Sequence, residues 1–214
     1  MKRTLVVSDI HGYTDCLREL LEAAQYVPGQ DRLLLLGDYV NKGPDSEGAL
    51  RLASSLVDGG AVALMGNNED KLLRRQAVQP AALPWLSGDL LRFTRGLPLW
   101  HEDERYIYVH AGLRPGLPLS VQQPADLLSI RDVFYRSPAA SDKTIVFGHT
   151  ATHVLGATAG CIWEAPGKLG IDTGAGHRLR LSLVDLTSRL VYACDVLNRR
   201  LAIYRMSDMH NQAQ

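Results

Sequence analysis

Thr4-Leu5-Val6-Val7-Ser8-Asp9-Ile10-His11-Gly12 decides the reading of this chain. Four β-branched or apolar residues in succession, with no polar alternation, describe a strand buried on both faces, as in a parallel sheet covered by helices. The run ends at Ser8-Asp9, where polar side chains take over. Leu17, Leu20, Leu21 and Ala24 then recur at helical spacing, with Thr14 or Asp15 as the expected N-cap. Val27-Pro28-Gly29 closes that segment, and Arg32–Leu36 reads as the next buried strand. Ser46–Val57 repeats the helical pattern and Ala61–Met65 supplies a third strand. Strands alternating with helices indicate an α/β fold. In open α/β sheets, ligands sit outside the carboxyl ends of the strands, so polar motifs that begin there can converge on one site.

Composition narrows the class further. The 214 residues (23.5 kDa) suggest one domain over 1–207, able to bury a substantial core, with a polar, frayed tail at 208–214. A formal charge of zero and a pI near 7.1 give no global field to attract nucleic acid or membrane. Cys16, Cys161 and Cys194 are an odd number without a CxxC pair, which argues against a disulfide framework or a thiolate metal site. The apolar run after Met1-Lys2-Arg3 is too short for a signal segment, and no stretch approaches the ~18 apolar residues of a membrane span. The cytoplasm is the expected location, with no membrane partner.

Residues 69–100 change character. Leu72, Leu73, Leu83, Leu86, Leu90 and Leu91, interrupted by Pro80, Pro84 and Gly88, predict a helical insertion of short helices, either a cover for the core or a place of substrate choice. From Arg105 the texture is that of strands, expected at Tyr106–Val109, Thr144–Phe147, Gly160–Trp163, Leu169–Ile171, Leu179–Val184 and Leu190–Val196. A short helix is expected near Ala125–Phe134, within a proline-rich stretch.

Five polar blocks stand out: Ser8-Asp9-Ile10-His11-Gly12, Gly37-Asp38-Tyr39-Val40-Asn41-Lys42-Gly43, Gly66-Asn67-Asn68-Glu69, Val109-His110-Ala111-Gly112 and Phe147-Gly148-His149-Thr150. Asp9, His11, Asp38, Asn67, His110 and His149 offer carboxylate, amide and imidazole donors, which suit hard or borderline cations. In kind and order the blocks resemble the signature of the calcineurin-like metallophosphoesterases, most closely the bacterial and phage type of the phosphoprotein phosphatase branch, across roughly residues 4–184. The resemblance implies an αββα sandwich, four layers with two mixed β-sheets flanked by helices. It also implies two divalent cations, manganese first, with iron, zinc or nickel as alternatives. Asp9 and His11 would bind one cation, Asn67, His110 and His149 the other, and Asp38 would bridge them. The implied nucleophile is the hydroxide between the ions, made available at neutral pH because cations lower the pKa of bound water.

The departures from that signature carry the functional question. The family's third block reads Gly-Asn-His-Glu, with the His as catalytic acid, and its second reads Gly-Asp-x-Val-Asp-Arg-Gly, with an Asp that pairs with that His. Here the corresponding positions are Asn68 and Asn41, and Lys42 stands where the family has a phosphate-binding Arg. An amide pair can hydrogen-bond but cannot shuttle a proton near pH 7, and Lys42 keeps a positive charge without the bidentate fork. A general acid contributes typically about 10²–10⁴-fold. Its loss weighs most on poor leaving groups such as a serine alkoxide, and least on phenolates and phosphoanhydrides. His177, after Ile171-Asp172-Thr173-Gly174-Ala175-Gly176, stands where the family usually has an overhanging Tyr or Phe, and is either a replacement proton donor or an exposed loop residue. Arg131 matches a second phosphate-binding arginine, with Arg136 and Arg114 as alternatives. His101, His153 and His210 are read as surface or packing residues.

The expected function is dinuclear-metal-dependent hydrolysis of phosphomonoesters in phosphoproteins (Ser/Thr or Tyr), or of phosphoanhydrides, without the usual acid. Two alternatives stand beside it: a weak pseudo-phosphatase that binds phosphate by recognition, and a dinucleoside polyphosphate hydrolase or phosphodiesterase. The partner is then a phosphorylated protein or a nucleotide-type substrate. Nucleic acid is disfavoured, because no basic stretch carries interleaved aromatics.

Overall fold

The computed structural model describes residues 2–139 and 141–207. The tail expected at 208–214 lies outside them. Strand β1 (Thr4–Val7) pairs in parallel with β2 (Arg32–Leu35), which pairs in parallel with β3 (Val62–Ala63). On its other side β1 meets β9 (Arg180–Asp185) antiparallel, followed by β10 (Leu190–Asp195) and β11 (Leu201–Arg205). The first sheet thus runs β11-β10-β9-β1-β2-β3. The second runs in the order β4 (Trp100–Glu102), β5 (Tyr106–Val109), β6 (Thr144–Phe147), β8 (Lys168–Gly170) and β7 (Trp163–Ala165). Its central pairs are parallel and its edges antiparallel.

The alternation of side chains along these strands builds the layers. Leu5 and Val7 of β1 face one core, shared with Leu17 and Leu20 of α1 (Thr14–Ala23) and Leu50 and Ala53 of α2 (Ser46–Asp58). Val6 faces the other way, into a core with Leu34, Tyr108, Val146, Leu169 and Val184 that joins the two sheets. On the far side of the second sheet, Ile107, Val109, Ile145 and Phe147 meet Leu127 of α5 (Pro124–Ser129) and Phe134 of α6 (Asp132–Tyr135). Helix, sheet, sheet, helix is the order of layers, with two mixed sheets as expected. Residues 67–95 form α3 (Asn67–Val78), a 3-10 turn at Pro80–Ala82 and α4 (Gly88–Arg95). No helix among the described residues is long and apolar enough to cross a membrane.

Several local readings need correction. The N-cap of α1 is Tyr13, so Thr14 already lies inside the helix. The third strand contracts to Val62–Ala63, because at the edge of its sheet it finds a partner only in β2. The strand expected at Gly160–Trp163 starts instead at Trp163, since Gly160 turns with φ +78°. The helix expected near Ala125–Phe134 breaks in two at Ile130-Arg131, where Arg131 takes φ −133° and ψ −112°. Strands β4 and β11 are extra; β11 is mostly exposed, so its sequence carries no burial pattern.

Candidate active site

The loops that follow β1, β2, β3, β5 and β6 meet at one end of the sheets. Backbone hydrogen bonds lace the first two together: Asp9 N–H donates to Gly37 O (3.0 Å), His11 N–H to Asp38 O (2.9 Å) and Gly12 N–H to Tyr39 O (2.7 Å). Gly148 N–H donates to His110 O at 2.8 Å, which ties the loop after β6 to the one after β5. A Cβ at Gly148 would lie 2.1 Å from both Asp9 Oδ2 and Ser8 Oγ, so only glycine lets the two sheets close on each other here. Among the described residues ten non-glycine positions have positive φ, and six belong to this site: Asp9, His11, Asp38, Asn41, Lys42 and His149. Each such backbone costs of order 1–3 kcal/mol, a cost that clusters at functional sites.

The side chains fall into two groups that share one carboxylate. Asp9, His11 and Asp38 form the first group, and Asp38, His110 and His149 the second, with ligand-type atoms inside each group no more than 4.8 Å apart. His11 Nε2 lies 3.8 Å from Asp9 Oδ1 and 3.8 Å from Asp38 Oδ2. The other oxygen, Asp38 Oδ1, lies 3.4 Å from His110 Nε2. Asn67 Oδ1 completes the second group, 3.0 Å from His110 Nε2 and 2.8 Å from His149 Nδ1.

Tautomers follow from the outer partners. His11 Nδ1 and His110 Nδ1 sit 3.1 Å and 2.8 Å from the carbonyls of Val40 and Leu36, to which they donate. In the neutral rings this leaves both Nε2 lone pairs aimed inward, the arrangement that orients an imidazole ligand. In a neutral His110, Nε2 faces Asn67 Oδ1 and Asp38 Oδ1 with no proton to share. Without a cation, burial opposes the charged ring but Asp38 and Asp9 outweigh it and raise the pKa of His110, so that a proton takes that place. Several lone pairs thus converge on one small volume, and a cation there would satisfy them together.

Electrostatics point the same way. Burial pushes the Asp9 carboxyl up to about 6 against the pull of His110, with the Asp38 charge adding to the rise. Burial lifts Glu69 and Asp172 to about 7, with help from Asp38 for the first and Asp9 for the second. For Asp38 burial acts upward, yet His110, His11 and two hydrogen bonds from Asn68 outweigh it and hold the carboxyl below its usual range. His149 falls to about 3 through burial and the neighbouring His110 and Arg131. Four buried carboxyl groups crowd together, and divalent cations are the charges that invert such local pKa logic. The donor set therefore fits metal ions.

Asn68 and Asn41 form a chain of amides ending on the shared carboxylate. Asn41 Nδ2 donates to Asn68 Oδ1 at 3.0 Å, Asn68 Nδ2 donates to Asp38 Oδ2, and the Asn68 backbone N–H donates to Asp38 Oδ1 at 2.9 Å. Lys42 rests its Nζ 3.1 Å from His11 Nε2, the donor to that inward lone pair. Arg131 is exposed, with Nη1 3.4 Å from Thr150 Oγ1, next to His149. Of the alternatives, Arg114 is engaged by Asp126 at 2.6 and 2.7 Å, and Arg136 lies 3.7 Å from Asp132. His177 is exposed and packs edge-on against His153 (centroids 5.4 Å apart). Its loop does reach the site, because a Cβ at Gly176 would come within 2.8 Å of both His11 Nε2 and Lys42 Cδ.

Sequence reasoning gave no role to Glu69, Asp172 or Ser8, and read His153 as a surface or packing residue. Glu69 is fully buried and accepts from four backbone N–H groups: Asp38 at 2.8 Å, Tyr39 at 2.9 Å, Val40 at 3.2 Å and Gly66 at 3.0 Å. It fixes the loop that carries Asp38, and the available signal was its place three residues after the Gly66 N-cap, the reach-back half of a capping box. Glu69→Gln turns an amide N–H₂ toward two of those donors. It is expected to cost about 3 kcal/mol, measured as a lower midpoint in urea.

A family model described as calcineurin-like phosphoesterase matches residues 2–174. A symmetrical bis(5'-nucleosyl)-tetraphosphatase of Aromatoleum aromaticum is 37% identical over 121 residues, covering 51% of this chain and 44% of that enzyme. The match thus takes in about half of each chain. A crystal structure provisionally described as a diadenosine tetraphosphatase superposes with TM-score 0.72 at 26% identity, covering 95% of this chain and 93% of that one. A cold-active protein tyrosine phosphatase shares the fold, with TM-score 0.64 at 15% identity over 98% of this chain and 80% of its own.

Proposed function

Because the chain belongs to the calcineurin-like phosphoesterase family, we propose that it is a metal-dependent hydrolase of phosphoanhydrides, acting on a dinucleoside polyphosphate or similar nucleotide-type substrate. Asp9 and His11 would hold one divalent cation, and Asn67, His110 and His149 the other, with Asp38 turning one oxygen toward His11 and the other toward His110. When bound, such cations supply Lewis acidity, which activates water at neutral pH and neutralises charge on phosphoryl oxygens. The carboxylate, amide and imidazole donors suit manganese, with iron, zinc or nickel as alternatives. Lys42 and Arg131 take the phosphoryl oxygens from the open side. Three unpaired cysteines and a nucleotide substrate fit a reducing, cytoplasmic setting.

The amide chain from Asn41 through Asn68 to Asp38 is the observation that carries the choice of substrate. It holds Asp38 in place but has no titratable proton for a leaving group. A nucleotide phosphate leaves an anhydride as an anion already stable at neutral pH and needs none. The phosphoserine reading drawn first from the sequence needs that proton most, and it gives way to the nucleotide reading, which the names of the relatives also support. With Mn²⁺, kcat/KM for a dinucleoside tetraphosphate is expected to exceed that for a phosphoserine peptide by at least about 10²-fold. Equal rates on the two, by product chromatography, would contradict the proposal.

A further inference from the structure

Away from these residues, α1 and β10 bring together a second group of ligand-type atoms. The sulfurs of Cys16 and Cys194 and a carboxylate oxygen of Glu19 lie within 4.8 Å of one another. Cys16 stands in the first turn of α1, Glu19 follows on the same face one turn later, and Cys194 reaches across from β10. Both cysteines are buried and neither is in a disulfide.

Cys194 Sγ is 3.6 Å from Glu19 Oε2. A thiolate at about 2.3 Å and a carboxylate oxygen at about 2.1 Å from one tetrahedral zinc ion stand about 3.5 Å apart, so this pair already has the separation that such an ion imposes. The other carboxylate oxygen is held by Arg199, whose Nε and Nη2 lie 3.1 and 2.5 Å from Glu19 Oε1, while its Nη1 takes Asp15 Oδ2 at 2.7 Å. Arg199 thereby fixes the carboxylate with Oε2 turned toward the sulfurs, as outer partners of a metal ligand do. A cavity of about 310 Å³, lined by Asp15, Cys16, Val196 and Arg199, reaches Cys16 and offers an entry path to that side of the group. A thiol pair that only filled core space would need neither the oriented carboxylate nor the opening.

We propose that Cys16, Cys194 and Glu19 form a second cation site, separate from the hydrolytic centre, for a thiophilic divalent ion of the zinc type. It clasps α1, the helix that follows Asp9-Ile10-His11-Gly12, to β10. Cysteine spacing argued against such a site because its two sulfurs come from opposite ends of the chain, and only the pairing of β9 with β10 and the packing of α1 on both unite them.

Cobalt(II) is the probe, added to the metal-free 214-residue chain. A thiolate-to-cobalt charge-transfer band in the near ultraviolet is expected, retained in Asp38→Asn and Cys161→Ser and lost in Cys16→Ser and Glu19→Leu. A parallel test uses the unaltered chain: Zn²⁺ is expected to protect Cys16 and Cys194, but not Cys161, from alkylation of the native protein, read by peptide mass spectrometry. No charge-transfer band in the unaltered chain overturns the proposal. So does a band that survives Cys16→Ser, or a pair that Zn²⁺ leaves unprotected and that only closes to a disulfide under oxidation.

Discussion

Asp38→Asn is expected to lower Mn²⁺-dependent turnover by roughly 10³-fold or more, the scale of removing a central electrostatic stabiliser, while leaving the protein folded. Asp38 is the one residue whose two oxygens face different groups, Oδ2 toward His11 and Oδ1 toward His110. A neutral amide withdraws the charge that cations held at this site would need. It also sets an N–H₂ against the inward donor of Asn68, now bonded to Asp38 Oδ2. In the metal-free protein the same change relieves the repulsion that Asp38 exerts on the raised carboxyls of Asp9 and Glu69, but it also removes a carboxylate that His110, His11 and Asn68 hold below its usual range. The two effects oppose each other, so its thermal midpoint without metal is expected to lie close to, and not above, that of the unaltered chain. Metal stoichiometry, kcat/KM and the two midpoints check the account, and a large loss of stability together with activity would point to a scaffold role for Asp38.

The double change Asn68→His with Asn41→Asp is expected to raise turnover of alkyl and serine phosphates by about 10²–10⁴-fold, the usual worth of a general acid. Anhydride hydrolysis is expected to change little. Asn68 and Asn41 are already hydrogen-bonded at 3.0 Å, so a carboxylate at 41 can accept from an imidazole at 68 and hold it charged. Asn68 is buried and Asn41 exposed, so the new carboxylate lies on the solvent side of the ring. Asn68→His alone is expected to gain less, because the imidazole then lacks its carboxylate. Steady-state rates on a phosphoserine peptide and a dinucleoside tetraphosphate separate the two effects.

The parts of this architecture that were legible in sequence are those where burial is two-sided. Thr4–Val7, Arg32–Leu35, Tyr106–Val109 and Thr144–Phe147 each carry three consecutive buried residues because cores lie on both faces, and each gives way within three residues to a polar block. Edge elements left weaker traces: β11 exposes most of its residues, and β3 is only two residues long. The six donor residues were visible because their types and order resemble a known signature. What they rest on was not, since Glu69 acts through four backbone N–H groups and a backbone has no letter in the sequence. His153 was read as surface or packing, and its ring contact with His177 depends on a fold that brings two loops together.

The central claim is that this chain hydrolyses phosphoanhydrides, and esters with comparably good leaving groups, without a protein proton donor to the leaving group. The most direct measurement is kcat/KM with Mn²⁺ across aryl phosphates of graded leaving-group pKa, using Asp38→Asn as the baseline. The account predicts turnover well above that baseline for good leaving groups and a steep fall as their pKa rises. A flat dependence would reveal a proton donor, with His177 the first candidate, and rates equal to Asp38→Asn throughout would show a phosphate-binding protein in place of a hydrolase.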